Sequence, residues 1–228
     1  MTLDERRSAK RTARVAGGLY LALIPLGMFS FVYVPSAVLA GGDAATTSRN
    51  ILESELLFRL GIASHLTSQV VVVFLLLALY RLFRPVNGDL AAAMAVLGLL
   101  CVPISFIAEL NSLGALHLLT MKDVGAFNVA QLRIQAMQLL DMQRSGVLLA
   151  QVFWALWLFP LAALIFRSGF LPKALSIPVL IAAAGYLFDS TSYLLSPGLG
   201  AISPFTAVAE LVLPLWLVVK GVRVEPPH

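Results

Sequence analysis

The sequence has few charged residues. Only 12% of its 228 residues are Asp, Glu, Lys or Arg, whereas about a quarter are charged in a typical soluble domain. Because 59% of the residues are hydrophobic and the mean hydropathy is +0.89, this shortage argues against a soluble protein and predicts an integral membrane protein. No length is left for an added soluble domain, so we expect a single transmembrane domain over residues 1–228.

Cysteine and catalytic motifs are almost absent. The one cysteine, Cys101, excludes an internal disulfide and a zinc site built on several cysteines. The sequence has no H-E-x-x-H metal motif and no G-x-S-x-G nucleophile elbow. We therefore predict no metal and no cofactor. One histidine and three carboxylates in apolar segments would suit Mn, Fe or Mg better than zinc if they met; they are His65, Glu109, Asp189 and Glu210.

The excess of basic residues does not indicate a nucleic-acid partner. The net charge is +4 and the pI is near 9.5. Most lysines and arginines, however, lie at the ends of apolar segments, where membrane topology and anionic lipid explain them. We therefore expect membrane lipids as partners and no nucleic acid. The oligomeric state is unknown from the sequence.

Six apolar segments approach or exceed the roughly 20 residues that cross a bilayer. They cover about residues 14–39, 60–83, 90–120, 146–166, 174–195 and 204–219. This pattern predicts an all-α integral membrane bundle of six transmembrane helices. The first apolar run is too long for a cleavable signal, so we interpret it as an anchor helix.

The distribution of Lys and Arg favours one orientation. If the N-terminus is cytoplasmic, 11 of these 16 residues lie inside and 5 lie outside, which predicts both termini on the cytoplasmic side of the cell inner (plasma) membrane. Two amphipathic stretches in the outer loops predict short interfacial helices. One covers Ile51–Arg59 and would start with a capping box formed by Asn50 and Glu53; the other covers Phe127–Asp141 and would lead into the fourth span.

The ionisable residues inside the predicted spans fall at similar depths. His65 and Glu210 lie about 9 Å from the outer ends of their spans, at 1.5 Å per residue. Asp189 and Glu109 lie about 22 Å and about 28 Å from the inner ends, again toward the outer side. We expect these side chains to form a shared polar cavity for a ligand or ion in the outer half of the bilayer. The candidate residues are Asp189, Glu210, Glu109, His65, Tyr193 and Ser192.

Structural pairing is the alternative role for these residues. Polar side chains often join transmembrane helices, through bonds worth about 1 kcal/mol or less. The three carboxylates could therefore pair with arginines or tyrosine hydroxyls. Pro214 also removes the N–H that would bond to the carbonyl of Glu210, which predicts a freed carbonyl at that position.

Several stretches along the chain resemble one known family. They are Gly42–Thr46, Asn50–Leu52, Glu55–Ile62, Ala78–Tyr80, Arg84–Asn87, Phe166–Pro172, Gly185–Ser190, Glu210–Leu211 and Trp216–Val222. In order and spacing they are similar to domain of unknown function 4386 (DUF4386), a family of uncharacterised bacterial multi-pass membrane proteins. The resemblance implies several membrane helices and implies no activity. Members often carry an aspartate-containing version of the helix around His65, so it implies no fixed ligand there.

Three functions are consistent with the sequence. The first is a transporter or a protein that binds a small molecule or ion, in which Asp189 and Glu210 carry charge while Glu109 and His65 exchange protons. The second is an intramembrane enzyme acting on a lipid or apolar substrate, with Asp189 or Glu109 as general base. The third is a membrane scaffold or partner subunit that uses the amphipathic stretch Phe127–Asp141.

Overall fold

A computed structural model describes residues 3–121, 128–196 and 199–222. Within these ranges every regular element is a helix, which confirms the all-α prediction. In chain order they are α1 (Leu3–Gly27), a π-helical segment (Met28–Tyr33), α2 (Val34–Val38), α3 (Ala44–Glu53), α4 (Glu55–Phe83), α5 (Gly88–Thr120), α6 (Val129–Leu156), α7 (Leu158–Arg167), a 3₁₀ turn (Lys173–Leu175), α8 (Ser176–Leu195), α9 (Ser203–Glu210) and α10 (Val212–Val219).

Five helical stretches are long and apolar enough to cross a membrane. Among the described residues they are Arg7–Val38, Glu55–Phe83, Gly88–Thr120, Val129–Arg167 and Lys173–Leu195. The sequence predicts a sixth, and the corresponding pair α9 and α10 is shorter. It covers about 25 Å, against about 30 Å of hydrocarbon. Five candidate spans are therefore observed, and the count of six stays a prediction.

Two prolines explain breaks between successive helices. Pro160 has no N–H to bond to the carbonyl of Leu156, where α6 ends. Pro214 has the same effect on the carbonyl of Glu210, where α9 ends. The second break follows directly from the sequence.

The first interfacial helix begins earlier than predicted. Asp43 accepts hydrogen bonds from two backbone N–H groups in the first turn of α3, at 2.9 and 3.1 Å, and so acts as its N-cap. Asn50 lies inside α3, so the predicted start at Asn50 is wrong. The helix ends at Ser54 and α4 follows at once.

The second predicted amphipathic helix leads into the fourth apolar segment without a break. Phe127 lies outside the described residues, and from Val129 onward the stretch forms the first half of α6. Apolar residues continue along the same helix past Asp141, so no break separates the amphipathic part from the apolar part.

Contacts within the described residues divide the chain into two compact units. Unit 1 contains Met1–Leu23, Val70–Val102 and Leu148–His228, and unit 2 contains Ile24–Gln69 and Pro103–Val147. The helices α1, α4, α5 and α6 contribute residues to both units. The single domain predicted from the sequence stays a prediction.

Unit 1 is built on close helix contacts at glycines. A Cβ at Gly185 would lie 1.8 Å from Oγ1 of Thr206, so α8 and α9 approach to a distance that only glycine permits. A Cβ at Gly17 would lie 2.8 Å from Cβ of Leu217, which places α1 against α10 in the same way. Small residues at helix contacts are typical of membrane proteins, where van der Waals packing replaces the hydrophobic effect.

Unit 2 has a smaller apolar core formed by α2, α3, α4 and α5. Its buried members are Val34, Val38, Ile51, Phe58, Ile62 and Leu116. A Cβ at Gly61 would lie 3.0 Å from Cγ1 of Val34, so α2 packs closely against the first turns of α4. This contact holds the segment that precedes α2 next to the polar residues of α4.

Candidate functional site

A buried histidine–carboxylate pair lies in unit 2. His65 on α4 and Glu109 on α5 approach with Nδ1 and Oε1 2.6 Å apart. The two side chains are 1% and 5% exposed. Burying an unpaired polar group costs several kcal/mol, and a lone charge costs more. The hydrogen bond between the two side chains therefore offsets part of the free-energy cost of burying them inside apolar helices.

A second donor reaches the same carboxylate from α6. Nε2 of Gln143 donates to Oε1 of Glu109 at 2.9 Å. Oε1 of Glu109 thus lies within hydrogen-bonding distance of both Nδ1 of His65 and Nε2 of Gln143. Since Glu109 accepts from Nδ1 of His65, the neutral imidazole carries its lone pair on Nε2.

Nε2 of His65 is the exceptional atom of this pair. It is buried and has no hydrogen-bond partner among the residues that the structure describes. Buried polar atoms in proteins nearly always have a partner. A buried imidazole with one nitrogen held by a carboxylate and the other unused is able to accept a proton or a hydrogen bond from a bound molecule.

Both residues line a cavity of about 700 Å³ formed by residues of unit 2. Small-molecule sites occupy about 300–1,000 Å³, so the volume suits an organic ligand. The wall is mainly apolar. Its larger apolar members are Phe31, Val34, Phe58, Ile62, Ile134, Met137, Leu140 and Val147.

Three further charged residues line the cavity. They are Asp43, Asp141 and Arg144, and all three are exposed. Arg144 forms no ion pair with another residue in the described part of the chain. The cavity thus combines a buried polar end at His65 and Glu109 with exposed charges.

The π-helical segment Met28–Tyr33 positions one wall of the cavity. It brings the ring of Phe31 edge-on against the ring of His65, with centroids 4.7 Å apart. The carbonyl of Leu26 accepts hydrogen bonds from the hydroxyls of Ser30 and Ser64, at 2.9 and 3.0 Å, which ties this part of the chain to α4. Segments of π-helix occur frequently at functional sites.

Gly146 explains how Gln143 reaches Glu109. A Cβ at Gly146 would lie 2.8 Å from Cβ of Ala108, so α6 lies against α5 at this level. Gln143 precedes Gly146 by one turn and therefore faces the same neighbour. The close contact places the amide beside the carboxylate that follows Ala108.

Unit 1 contains a second buried glutamate. Tyr20 donates its hydroxyl to Oε1 of Glu210, and Tyr186 donates to Oε2 at 3.0 Å. The ring of Trp157 packs against that of Tyr20, with centroids 6.0 Å apart. Each carboxyl oxygen of Glu210 therefore has its own donor.

Asp189 stabilises the start of a neighbouring helix in unit 1. Its two carboxylate oxygens accept the backbone N–H groups of Ile202 and Ser203, at 2.7 and 3.0 Å. These N–H groups belong to the first turn of α9, where no residue of the same helix supplies an acceptor. Ser192 donates to the carbonyl of Asp189 at 3.1 Å, and Tyr193 is 37% exposed.

A model of the family described as Domain of unknown function (DUF4386) matches residues 15–221. The chain belongs to the DUF4386 family. An uncharacterised protein of Archaeoglobus fulgidus is 28% identical over 148 residues, which cover 63% of this chain and 73% of that relative. No solved structure matches the chain. Membership confirms the resemblance in the sequence.

The predicted cavity residues of the DUF4386 protein belong to two units. His65 and Glu109 meet in unit 2. The other predicted residues belong to unit 1; they are Asp189, Glu210, Ser192 and Tyr193. A common ligand site for both groups stays a prediction. Within the described ranges, no three His, Cys, Asp or Glu residues are placed to hold a metal.

Sequence reasoning missed Gln143. It lies between the predicted amphipathic stretch, which ends at Asp141, and the predicted fourth span, which begins at about residue 146, so neither prediction gave it a role. One signal was present, because Gln143 precedes Gly146 by three residues and a glycine in an apolar helix often marks a close helix contact.

Proposed function

We propose that this DUF4386 protein is a multi-pass membrane protein that binds a small molecule in the unit 2 cavity and couples binding to the protonation of His65. In this proposal the segment Ser203–Val219 also enters the bilayer, both termini are cytoplasmic, and the protein lies in the cell inner membrane. The excess of Lys and Arg on the N-terminal side supports this orientation. The cavity then faces outward, because the loop after the first span lines it.

The observation that carries the proposal is the unpartnered Nε2 of His65 in a ligand-sized cavity. A purely structural histidine gains most when both nitrogens are hydrogen-bonded, since an unsatisfied buried group costs about 1–3 kcal/mol. Here only Nδ1 is satisfied. Ionisable residues within membrane segments commonly mark ligand or proton pathways, and the pair with Glu109 fits that role.

Proton-linked transport is the wider function that we assign to this site. A proton on His65 changes the charge of the cavity by one unit, so it changes the affinity for a charged ligand. A protein with that property can link ligand movement to a proton gradient. A binding protein without transport would use the same residues.

Two serines on α5 provide a matched test of a water-filled cavity. Ser112 lines the cavity, and Ser105, two turns earlier, is buried and does not line it. In a Cys101→Ala background, Ser112→Cys should react with a water-soluble cationic methanethiosulfonate at least about tenfold faster than Ser105→Cys. Reaction rates are measured by mass spectrometry on purified protein and on spheroplasts.

The two preparations test different parts of the proposal. Equal slow rates for both variants in purified protein would contradict a cavity that admits water-soluble molecules, and with it the proposed function. Fast labelling of Ser112→Cys in purified protein without labelling from outside in spheroplasts would contradict only the orientation.

An intramembrane enzyme is the second candidate, and the same dyad favours it. A carboxylate that holds Nδ1 leaves Nε2 of His65 able to act as a general base. Such an enzyme would activate water or a substrate hydroxyl in the cavity. Hydrolysis of a fluorogenic short-chain ester that is lost in both Glu109→Gln and His65→Gln would support this candidate, and hydrolysis that persists in both would contradict it.

A further inference from the structure

The polar end of the unit 2 cavity contains two unused hydrogen-bond acceptors. Nε2 of His65 has no partner among the described residues. Both hydrogen bonds to Glu109 end on Oε1, so Oε2 accepts no bond from the described part of the chain. A ligand that donates a hydrogen can satisfy either atom, whereas a ligand that only accepts satisfies neither while His65 is neutral.

The charges of the cavity favour a cation. Asp43, Glu109 and Asp141 are acidic, whereas Arg144 is the basic residue among those that line the cavity. With His65 neutral, the sum is −2. Glu109 is the most important of these charges, because it is 5% exposed and water screens it least.

The walls favour an organic cation over an inorganic one. Inorganic cations such as Ca²⁺ take six or more oxygen ligands, and the described residues include no group of three metal-binding side chains. Phe31 and Phe58 line the cavity, and aromatic faces attract organic ammonium ions. The volume of about 700 Å³ accommodates an apolar body beside the charged group.

We propose that the ligand is an organic amine with an apolar body, bound as its ammonium ion, which donates an N–H group to Nε2 of His65 and is attracted by the charge of Glu109. This proposal rests on the proposed function, since it names the ligand class of the same cavity. No covalent bond forms or breaks. The ammonium ion and a proton on Nε2 exclude each other, because protonation removes the acceptor and adds a positive charge.

The competition with protons sets the pH dependence. The groups that face His65 in the cavity are Glu109 and Ser112 from α5, Gln143, Asp141 and Arg144 from α6, and Asp43 before α3. Glu109 holds Nδ1–H in both states of His65. Affinity for the amine should therefore fall as the pH is lowered and His65 becomes protonated.

Three probes that share a phenylethyl group and differ in their polar group separate the effect of ligand charge from that of ligand shape. They are 2-phenylethylamine, 2-phenylethanol and 3-phenylpropionate, titrated calorimetrically into the full chain in lipid nanodiscs at pH 7.5 and pH 5.5. The amine should bind at least about tenfold more tightly than the other two at pH 7.5, since its hydrogen bond is charge-assisted and the acidic residues repel the acid. Binding of the amine should weaken at pH 5.5.

Two isosteric variants control for the carboxylate. Glu109→Gln should lose about tenfold or more in amine affinity. Glu53→Gln makes the same change at an exposed position of α3 that does not line the cavity, and it should bind like the wild type. His65→Gln should remove the pH dependence, because glutamine does not titrate.

The outcomes distinguish the ligand class from the proposed function. Tighter binding of the acid, or equal binding of the alcohol and the amine, would overturn the amine assignment and leave the binding function standing. The absence of binding by all three probes, with fast labelling of Ser112→Cys, would also overturn the amine assignment alone. The absence of both binding and labelling would overturn both proposals.

Discussion

Each unit buries one glutamate among apolar helices, and the two glutamates differ in how their oxygens are hydrogen-bonded. In unit 1 both oxygens of Glu210 accept a tyrosine hydroxyl. In unit 2 both donors to Glu109 share one oxygen, and its partner His65 keeps one nitrogen unused. The difference teaches that intramembrane charge alone does not identify a ligand site. An incomplete set of hydrogen bonds beside a cavity is the more specific sign.

The comparison predicts that unit 1 depends on packing and unit 2 on ligand contacts. Gly185→Ala should have the largest effect on stability, at about 3 kcal/mol or more of unfolding free energy, because overpacking at this level cannot relax. The added methyl would meet Oγ1 of Thr206 at 1.8 Å and its Cβ at 2.8 Å, so rotating the threonine gives no relief. Unfolding in mixed detergent and dodecyl sulfate micelles measures the change.

Gly18→Ala is the control for this prediction. A Cβ at Gly18 would meet nothing within 4 Å, so alanine should leave stability unchanged or raise it through its better helix propensity. Similar stability for Gly185→Ala and Gly18→Ala would contradict the close contact between α8 and α9.

The cap formed by Asp189 gives the next largest effect. Asp189→Asn turns one of the two acceptors into an N–H donor that faces a backbone N–H, so it should cost about 2 kcal/mol of unfolding free energy. Asp89→Asn makes the same change at an exposed position in the first turn of α5 and should cost less than about 0.5 kcal/mol. If the two variants have equal melting temperatures, Asp189 does not act as a structural cap.

The two glutamates allow a direct test of the comparison. Glu210→Gln loses an acceptor for one tyrosine and should cost about 1–2 kcal/mol. Glu109→Gln keeps an oxygen for both of its donors, so it should cost less than about 1 kcal/mol while it weakens amine binding about tenfold or more. Unfolding free energies and amine affinities are measured for both variants. A larger loss of stability for Glu109→Gln than for Glu210→Gln would contradict a ligand-binding role for Glu109 and a structural role for Glu210.

The smallest effect concerns Asp43, which lies outside the spans. Hydrogen bonds from the hydroxyl and N–H of Thr46 and the N–H of Ala45 hold the pKa of Asp43 below its usual value of 3.8. The folded-state pKa is lowered, so the stabilisation is fully present above pH 3.8 and is lost as the pH falls through the lower folded-state value.

The difference in melting temperature between wild type and Asp43→Asn, measured as a function of pH, tests this stabilisation by Asp43. The difference should be constant from pH 7 to pH 5 and should shrink below about pH 4, where the wild-type carboxylate becomes protonated. A difference that vanishes already between pH 7 and pH 5 would contradict the cap.

Hydropathy predicted most of the helices, because apolar runs of this length have few other stable arrangements. Counting residues also placed His65 and Glu109 at similar depth, and these two side chains form a hydrogen bond. The same count placed Asp189 and Glu210 at this depth as well, and a site shared with them stays a prediction, since the rise per residue gives a depth but no direction around the helix. The role of Asp189 was missed because its backbone partner Ile202 lies 13 residues away in the sequence. A helix cap normally directly precedes the helix that it caps.

The π-helical segment has a consequence for changes in chain length. It contains the extra residue of a widened turn between α1 and α2. The wide turn absorbs this residue, so deleting one residue between Met28 and Tyr33 would restore a regular α-helix and leave Val34 near its place against Gly61. A one-residue deletion within the regular part of α1 would instead rotate the chain beyond it by about 100°. The first apolar helix should therefore tolerate a shortened chain at this segment better than in its regular turns.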